Sequence, residues 1–145
     1  MSKPMSLRRE AAELVNACNR LPYDLAARNV GKDWIMQLDQ GHVIATVQLL
    51  RVQWYQCEIR HLAVREDRRR HGFGDAMVAS AEDMALRQGA CMMQCTIRAD
   101  NKASVGLFKK RGYKPGVTFF SPATGNTVRT YQKSLRPVPT APSAS

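Results

Sequence analysis

The sequence has little of several features that define whole classes of protein. No apolar run approaches the ~18–20 residues of a membrane span, so we expect no membrane insertion. The first ten residues contain no apolar stretch of signal-peptide length. The four cysteines, Cys18, Cys57, Cys91 and Cys95, form no C-x-x-C pair, which disfavours a disulfide framework or a zinc site. These absences predict a reduced, cytoplasmic protein that holds no metal.

Acidic residues are also scarce. The chain has 12 Asp and Glu residues against 22 Lys and Arg, which gives a formal net charge of +10. Such a balance favours anionic partners: a nucleotide cofactor, nucleic acid or an acidic surface. A merely solvated basic surface would have the same composition, and no interleaved aromatic and basic motif supports nucleic acid.

Length and composition indicate one globular domain. The chain has 145 residues, of which 44% are hydrophobic and 23% charged, and it contains no internal repeat. The last ten residues include three prolines and show no apolar periodicity. We expect a flexible N-terminus over residues 1–5, a domain over residues 6–135, and a disordered, proline-rich tail over residues 136–145.

Apolar periodicity predicts an alternation of helices and strands. Ser6 can cap a first helix, and a second, weaker helix is expected at Tyr23–Arg28. The remaining predicted elements are strands around Trp34–Leu38, Val43–Val52 and Gln56–Val64, a helix at Gly74–Gln88, a strand at Ala90–Ile97, a helix at Asn101–Arg111, and a hairpin of Val117–Ser121 with Val128–Leu135. This order predicts an α/β (α+β) domain with a mixed, mostly antiparallel central sheet and helices on both faces.

The most informative segment runs from Glu58 to Ala76 and reads EIRHLAVREDRRRHGFGDA. It predicts a strand that enters a loop of arginine and glycine and then opens a helix. Gly72 and Gly74 lack a Cβ, so the backbone can turn sharply and approach a ligand closely. The loop amides from Arg70 to Asp75 can then point at one anion, assisted by the helix dipole. A plain strand-to-helix turn with solvated arginines would give the same pattern.

The loop and a second block together resemble a known family. Arg69-x-x-Gly72-x-Gly74 is similar to the Q/R-x-x-G-x-G/A loop of the GNAT superfamily of N-acetyltransferases. Asn101-x-x-Ser104-x-x-Leu107-Phe108-x-x-x-Gly112-Tyr113 is similar to that family's N-x-x-A-x-x-L-Y-x-x-x-G-F helix. The two blocks stand in the family's order within residues 58–113. The family's first strand is expected to be missing or short here, because no convincing strand precedes Ser6.

The resemblance implies acetyl-CoA as acetyl donor and assigns roles to residues of both blocks. The loop amides would hold the pyrophosphate, and backbone groups of Leu62 and Val64 would pair with the pantetheine arm. The Leu62 amide would also donate to the acetyl carbonyl. The implied cofactor-binding residues are Leu62, Ala63, Val64, Arg69, Arg70, His71, Gly72, Phe73, Gly74, Asp75, Asn101, Ser104 and Phe108.

The resemblance also implies transfer of an acetyl group to a primary amine, by direct attack within a ternary complex. Glu58 and the Leu62 amide are the candidate catalytic groups, the first as base and the second as oxyanion donor. Strand alternation predicts Glu58 on the same face as Leu62, and His61, a weaker candidate base, on the opposite face. The alternative for Glu58 is a solvent-facing residue or one paired with Arg60.

Two positions depart from the family pattern. Phe108 stands where the family usually has a tyrosine acid, which leaves water, Tyr55, Tyr131 or Ser104 to protonate the thiolate. The hydroxyl of Tyr113 is expected to be structural. Thr96 stands where relatives that acetylate ribosomal-protein N-termini have a glutamate, which disfavours that reaction.

The acceptor is the least readable part of the sequence. A small molecule, a protein lysine or an N-terminus remains open, and Trp34, Trp54 and Tyr55 are candidates to line its pocket. The alternative functions are an RNA-associated acetyltransferase and a non-catalytic acetyl-CoA-binding module. A homodimer and contact with nucleic acid are left open.

Overall fold

The structure, a computed structural model, describes residues 6–18 and 33–136, which form one sheet flanked by helices. The elements in chain order are α1 (Leu7–Cys18), β1 (Trp34–Asp39), β2 (His42–Gln53), β3 (Gln56–Val64), a 3₁₀ turn (Glu66–Arg68), α2 (Phe73–Arg87), β4 (Met92–Arg98), α3 (Lys102–Lys110), β5 (Lys114–Ser121) and β6 (Asn126–Ser134). The helix predicted at Tyr23–Arg28, the N-terminal residues 1–5 and most of the tail lie outside the described residues.

The sheet has the strand order β1-β2-β3-β4-β6-β5. Among the described strands, the pairs β1–β2, β2–β3, β4–β6 and β5–β6 are antiparallel and the pair β3–β4 is parallel. This confirms the prediction of a mixed, mostly antiparallel sheet. The parallel pair needs a crossover, and α2 with its preceding loop supplies it.

One face of the sheet is covered by α1. The Ser6 hydroxyl accepts a hydrogen bond from the Arg9 amide at 3.2 Å, so it caps the helix as the sequence predicts. Ala12 and Val15 are fully buried and pack with Ala63 and the partly buried Trp34. The α1 face of the sheet therefore carries a small apolar cluster.

The opposite face carries the main core under α2 and α3. Met77, Val78, Ala81 and Ala85 of α2 are buried over Ala45, Val47 and Leu49 of β2 and over Met93, Cys95 and Ile97 of β4. Val43 to Val47 are all buried, since β2 is covered on both faces. That double burial explains the β-branched and aliphatic run by which the sequence predicts this strand.

A buried carboxylate, that of Glu82, connects α2 to the segment after α3 and to β6. Glu82 on α2 accepts hydrogen bonds from Arg111 at 2.7 Å, from the Tyr113 hydroxyl at 2.8 Å and from Lys133 at 3.1 Å. Burial alone would raise the pKa of Glu82, but these hydrogen bonds outweigh burial and lower it. Burial and the charge of Glu82 raise the pKa of Tyr113 well above its usual range. The geometry gives the Tyr113 hydroxyl a structural contact.

Residues 6–18 and 33–136 contain neither a membrane-spanning helix nor a metal-binding cluster nor a disulfide. No helix there is long and apolar enough to cross a membrane. No group of three His, Cys, Asp or Glu side chains there could hold a metal ion. All four cysteines are free thiols.

Candidate active site

The site begins where β3 and β4 separate. Only Gln56–Glu58 pair with Met92–Gln94, although β3 continues to Val64 and β4 to Arg98. Beyond the last pair a cleft of about 380 Å³ opens between the strands. Its walls come from both strands, α3 and the β5–β6 hairpin: Glu58, Ile59, Arg60, His61, Leu62, Cys95, Thr96, Ile97, Arg98, Asn101, Ser104, Phe108, Phe119, Ser121, Thr124, Asn126 and Val128.

A β-bulge lies in β3 beside this opening. Gln48 pairs with Arg60 and Thr46 with Ala63, so Val47 alone lies opposite two residues, His61 and Leu62. His61 adopts a positive φ of 54°. A bulge inserts one residue, bends its strand and increases the local twist. The bend accompanies the departure of β3 from β4.

The bulge corrects two expectations based on alternation. Ile59 and Leu62 both contribute to the core under α2, so Leu62 faces away from Glu58 rather than lying on its face. His61, expected opposite Glu58, instead stacks on Trp34 of the α1 cluster, with ring centroids 5.7 Å apart and planes 5° from parallel. The prediction from strict alternation was wrong because two consecutive residues, His61 and Leu62, lie opposite the single residue Val47.

The loop between β3 and α2 has the geometry of an anion site. Arg70 and Gly72 have φ values of 67° and 82°, and Gly72 directly precedes the helix. The Ala76 amide donates to the Gly72 carbonyl at 3.0 Å, so the amides of Phe73 and Gly74 lie ahead of the helical ladder. A Cβ at Gly72 would meet no atom within 4 Å, so the space beside this residue, which directly precedes these amides in the chain, is open.

The second glycine has a different role from the first. A Cβ on Gly74 would lie 3.4 Å from Leu107 and 3.8 Å from Val64, so this glycine lets α2 approach α3 and β3. Asp75 is the acidic residue of the first turn, and Arg111 binds its carboxylate at 3.0 Å. The pairing offsets the one negative side chain in that turn.

The backbone of β3 beyond the bulge is partly engaged within the protein. The Val64 carbonyl, expected to pair with the pantetheine arm, accepts from Arg69 Nε at 3.2 Å and lies 3.5 Å from Cys18 Sγ. The Ala63 side chain is buried in the α1 cluster and does not line the cleft. Leu62 does line the cleft.

Glu58 lies in the cleft and is paired. Its Oε2 atom accepts from Arg60 Nε at 2.7 Å and lies 2.6 Å from Arg60 Nη2, and its Oε1 atom lies 3.4 Å from Gln94 Nε2. The pairing with Arg60 is one of the alternatives that the sequence left open. Among the described residues that line the cleft, Glu58 is the only carboxylate.

Helix α3 supplies the opposite wall. The Asn101 side chain accepts from the Ser104 amide at 3.2 Å and caps the helix, while both residues line the cleft. Phe108 is 3% exposed and packs edge-on against Tyr113 at 5.0 Å. Of the three alternative acids, Ser104 lines the cleft, whereas Tyr131 belongs to the core and Tyr55 packs against Trp54.

Sequence reasoning missed Cys95 and the hairpin residues. Cys95 lines the cleft, where burial and then the charge of Glu58 raise the pKa of its thiol to about 12. The thiol is therefore protonated at neutral pH. Phe119 of β5 also lines the cleft while 43% exposed, and exposed aromatics on an edge strand were the available signal.

Comparisons with known proteins gave one family and one fold. The sequence matches the model of the Acetyltransferase (GNAT) family over residues 6–113. The chain resembles the ribosomal-protein-S18-alanine N-acetyltransferase from Escherichia coli, with 16% identity, a TM-score of 0.76, and coverage of 99% of this chain and 97% of that chain. No curated protein matched the sequence.

Two further solved structures have the same fold. An aminoglycoside 6'-N-acetyltransferase complexed with coenzyme A gives 15% identity and a TM-score of 0.72, over 92% of this chain and 93% of that chain. YncA, a putative acetyltransferase from Salmonella typhimurium with its cofactor acetyl-CoA, gives 19% identity and a TM-score of 0.66, over 77% and 69%.

Proposed function

Since the chain belongs to the GNAT acetyltransferase family, we propose that it transfers the acetyl group of acetyl-CoA to a primary amine. The observation that carries the proposal is the separation of β3 from β4 next to the loop that precedes α2. A thioester on a long, thin arm needs a slot between strands, and its pyrophosphate needs unpaired amides. Both the slot and the loop lie at the carboxyl end of β3.

The residues at the loop fit a diphosphate. Amides ahead of the α2 ladder and the positive end of the helix dipole attract an anion, and the open space at Gly72 admits it closely. Arg69 and Arg70 add positive charge beside the loop. Two relatives of this fold hold acetyl-CoA or coenzyme A, which supports the same cosubstrate here.

Pairing of β3 with the pantetheine arm would compete with Arg69 for the Val64 carbonyl. The Arg69 guanidinium now donates to the Val64 carbonyl, which is the group that the arm would use. A pyrophosphate in front of the loop would attract the same guanidinium by a charge-assisted, bidentate contact. We infer that Arg69 turns from the carbonyl to the phosphate when the cosubstrate binds.

The transfer proceeds by direct attack of the amine on the thioester. An acyl-enzyme route needs a nucleophile in the cleft, and the candidate there is Cys95. With a pKa of about 12, this thiol is almost entirely protonated near pH 7, and the thiolate is the nucleophilic form. Direct attack needs instead that the acceptor lose a proton, since an ammonium has no lone pair.

Two side chains that line the cleft can accept that proton, Glu58 and His61. The departing thiolate takes a proton from water or from Ser104, because Phe108 has none to give. A thiol is far more acidic than an alcohol, about 8.5 in pKa for cysteine, so a CoA thiolate leaves without a strong acid.

The test is a paired measurement of binding and turnover. Calorimetry with acetyl-CoA should give saturable binding, and free-thiol release should identify an acceptor from a panel of amines, polyamines, peptides and aminoacyl-tRNA. Binding without release on any acceptor would support the non-catalytic alternative. Absence of acetyl-CoA binding by the folded protein would overturn the proposal.

A further inference from the structure

We propose that His61 is the base that takes the proton from the acceptor amine, and that Glu58 acts on Arg60 rather than on the substrate. The proposal rests on the acetyl transfer proposed above and names the group that performs its first step. Four observations support it: the positive φ of His61, the stacking of its ring on Trp34, the neutral state of the imidazole, and the pairing of Glu58 with Arg60.

The backbone places His61 in the cleft at an energetic cost. A positive φ is unfavourable for a residue with a Cβ, and such strain concentrates at functional positions. Without the bulge, alternation would turn the side chain at this position into the core beneath α2. The bulge instead presents an imidazole beside Arg60, on the wall that an acceptor must approach.

The ring of His61 is held in a defined orientation. It lies in a parallel, offset stack with Trp34, with ring centroids 5.7 Å apart and planes 5° from parallel. Trp34 is itself fixed against Ala12, Val15 and Ala63 by α1. Stacking leaves the edge of the imidazole, where both nitrogens lie, available for a hydrogen bond. A base with a fixed ring loses less entropy when it meets its substrate.

The charge state of His61 suits a base. Burial, and then the positive charge of Arg60, lower the pKa of His61 below its usual 6.5, so the ring is neutral at physiological pH. In the described part of the chain, the titratable groups on the elements around His61 include Cys57, Glu58 and Arg60 on β3, Cys95 and Arg98 on β4, Asp33 and Asp39 at the two ends of β1, and Arg8, Arg9, Glu10, Glu13 and Cys18 on α1. Glu58 and Asp33 are engaged by Arg60 and Gln48, so neither carboxylate pairs with the imidazole.

Glu58 is poorly placed for the same task. Two nitrogens of Arg60 lie within 2.7 Å of one of its oxygens, and Gln94 approaches the other. An ammonium approaching this carboxylate would meet the positive charge of a guanidinium that already holds one of its oxygens with two nitrogens. The pairing does have a consequence for His61: it balances the charge of Arg60, which otherwise acts on the neighbouring ring without compensation.

The proton balance of the reaction is then complete. The acceptor ammonium gives one proton to the imidazole and gains a lone pair. The C–N bond forms, the C–S bond breaks, and the second ammonium proton passes to the CoA thiolate through water. His61 returns its proton to solvent through the open cleft. The net products are an amide, CoA thiol and one released proton.

The principal test is chemical rescue of His61→Gly. Glycine adopts the positive φ without strain, so this variant should fold and leave a cavity against Trp34. We expect kcat/KM to fall by about 10²-fold or more, the scale of general-base loss, with acetyl-CoA affinity retained. Added imidazole should restore activity in a saturable way, and more so at a pH where free imidazole is neutral.

A matched variant controls for the cavity. Asparagine also tolerates the left-handed region, so His61→Asn should fold, lose as much activity, and show no rescue because its side chain occupies the site. Equal rescue of both variants would show that imidazole acts from solution and would overturn the proposal. So would a His61→Gly variant that retains wild-type kcat/KM.

Glu58→Gln distinguishes two possible roles of Glu58: the base for the acceptor amine, and the partner that balances the charge of Arg60. We expect a loss smaller than about 10-fold, with the acid limb of the kcat/KM profile moved to lower pH, since Arg60 then acts on His61 uncompensated. A loss of about 10²-fold with an unmoved acid limb would make Glu58 the base and His61 a structural residue. A wild-type protein that releases no thiol with any amine would overturn the proposed function itself, whereas the outcomes above concern the base alone.

Discussion

At the scale of single residues, Glu82 accepts more side-chain hydrogen bonds than any other side chain in residues 6–18 and 33–136. It joins α2 to Arg111 after α3, to Tyr113 before β5 and to Lys133 on β6. Two cations and a phenol therefore depend on one buried carboxylate. Such a group stabilises the fold only while all its partners are present, because a lone buried charge is costly.

Glu82→Gln should lower the free energy of unfolding by about 2 kcal/mol, less than the loss of a fully buried partner because Arg111 and Lys133 reach solvent. Urea denaturation measures the effect. The exposed Asp83→Asn, which removes only the surface pair with Arg87, should change stability by less than about 0.5 kcal/mol. Equal losses of unfolding free energy in the two variants would mean that the burial of Glu82 adds nothing to the stability of the fold.

The same carboxylate predicts an acid dependence. The folded pKa of Glu82 is lowered, so its contribution is present above its unfolded pKa of about 4.3 and is lost as pH falls through the folded value. The stability difference between wild type and Glu82→Gln should therefore shrink below about pH 4. A difference that stays constant from pH 7 to pH 3 would contradict the lowered pKa.

At the same scale, a substitution of Phe108 tests whether the absence of the family's tyrosine acid limits the rate. Phe108→Tyr keeps the ring volume and places a hydroxyl in the cleft wall. Where thiolate departure limits the rate, kcat should rise, by less than the about 10²-fold typical of a general acid, because a CoA thiolate already leaves readily. Stopped-flow thiol release with a saturating acceptor measures it. A large fall in kcat together with lost acetyl-CoA affinity would show that the ring packs too tightly for a hydroxyl.

At the scale of elements, substitutions in the loop before α2 can separate the effect of side-chain charge on acetyl-CoA binding from the effect of side-chain shape. Gly72→Asn and Gly72→Asp differ by one charge, and both side chains tolerate a left-handed φ. The aspartate would stand in the open space at this position, against the pyrophosphate. We expect acetyl-CoA to bind Gly72→Asp at least about 10-fold more weakly than Gly72→Asn, since two like charges ~5 Å apart repel by a few kcal/mol at an effective dielectric of 20. Equal affinities would move the pyrophosphate away from this loop.

The elements also show what the sequence could and could not predict. Regular periodicity located every described helix and strand within a few residues. Asn101, Ser104 and Phe108 of the second motif block line the cleft, whereas the loop of the first block follows β3 and contributes no residue to its walls. The bulge in β3 was not readable, because it depends on His61 adopting a positive φ that its residue type disfavours. The faces assigned to Leu62 and His61 failed for that one reason. The pairing of Glu58 with Arg60 follows from i, i+2 spacing and was foreseen as an alternative.

At the scale of the whole molecule, the sheet has a narrow joint. The half formed by β1–β3 meets the half formed by β4–β6 through three paired positions, from Gln56–Met92 to Glu58–Gln94. The core under α2 spans both halves and supplies the rest of the connection. A cosubstrate in the cleft would contact both strands beyond the joint and the loop before α2, so its binding energy should appear as global stability.

Acetyl-CoA at 100 times its dissociation constant should therefore stabilise the native state by about 2.7 kcal/mol, if it binds only the folded chain. For a chain of this length the unfolding midpoint should rise by roughly 10 °C, measured by scanning fluorimetry. Acetylpantetheine, which lacks the diphosphate, should give a much smaller shift at the same concentration. The Gly72→Asp variant should need at least about 10-fold more acetyl-CoA than Gly72→Asn for the same shift. A rise that is equal for acetyl-CoA and acetylpantetheine would mean that the loop contributes nothing, and that the cleft alone holds the thioester.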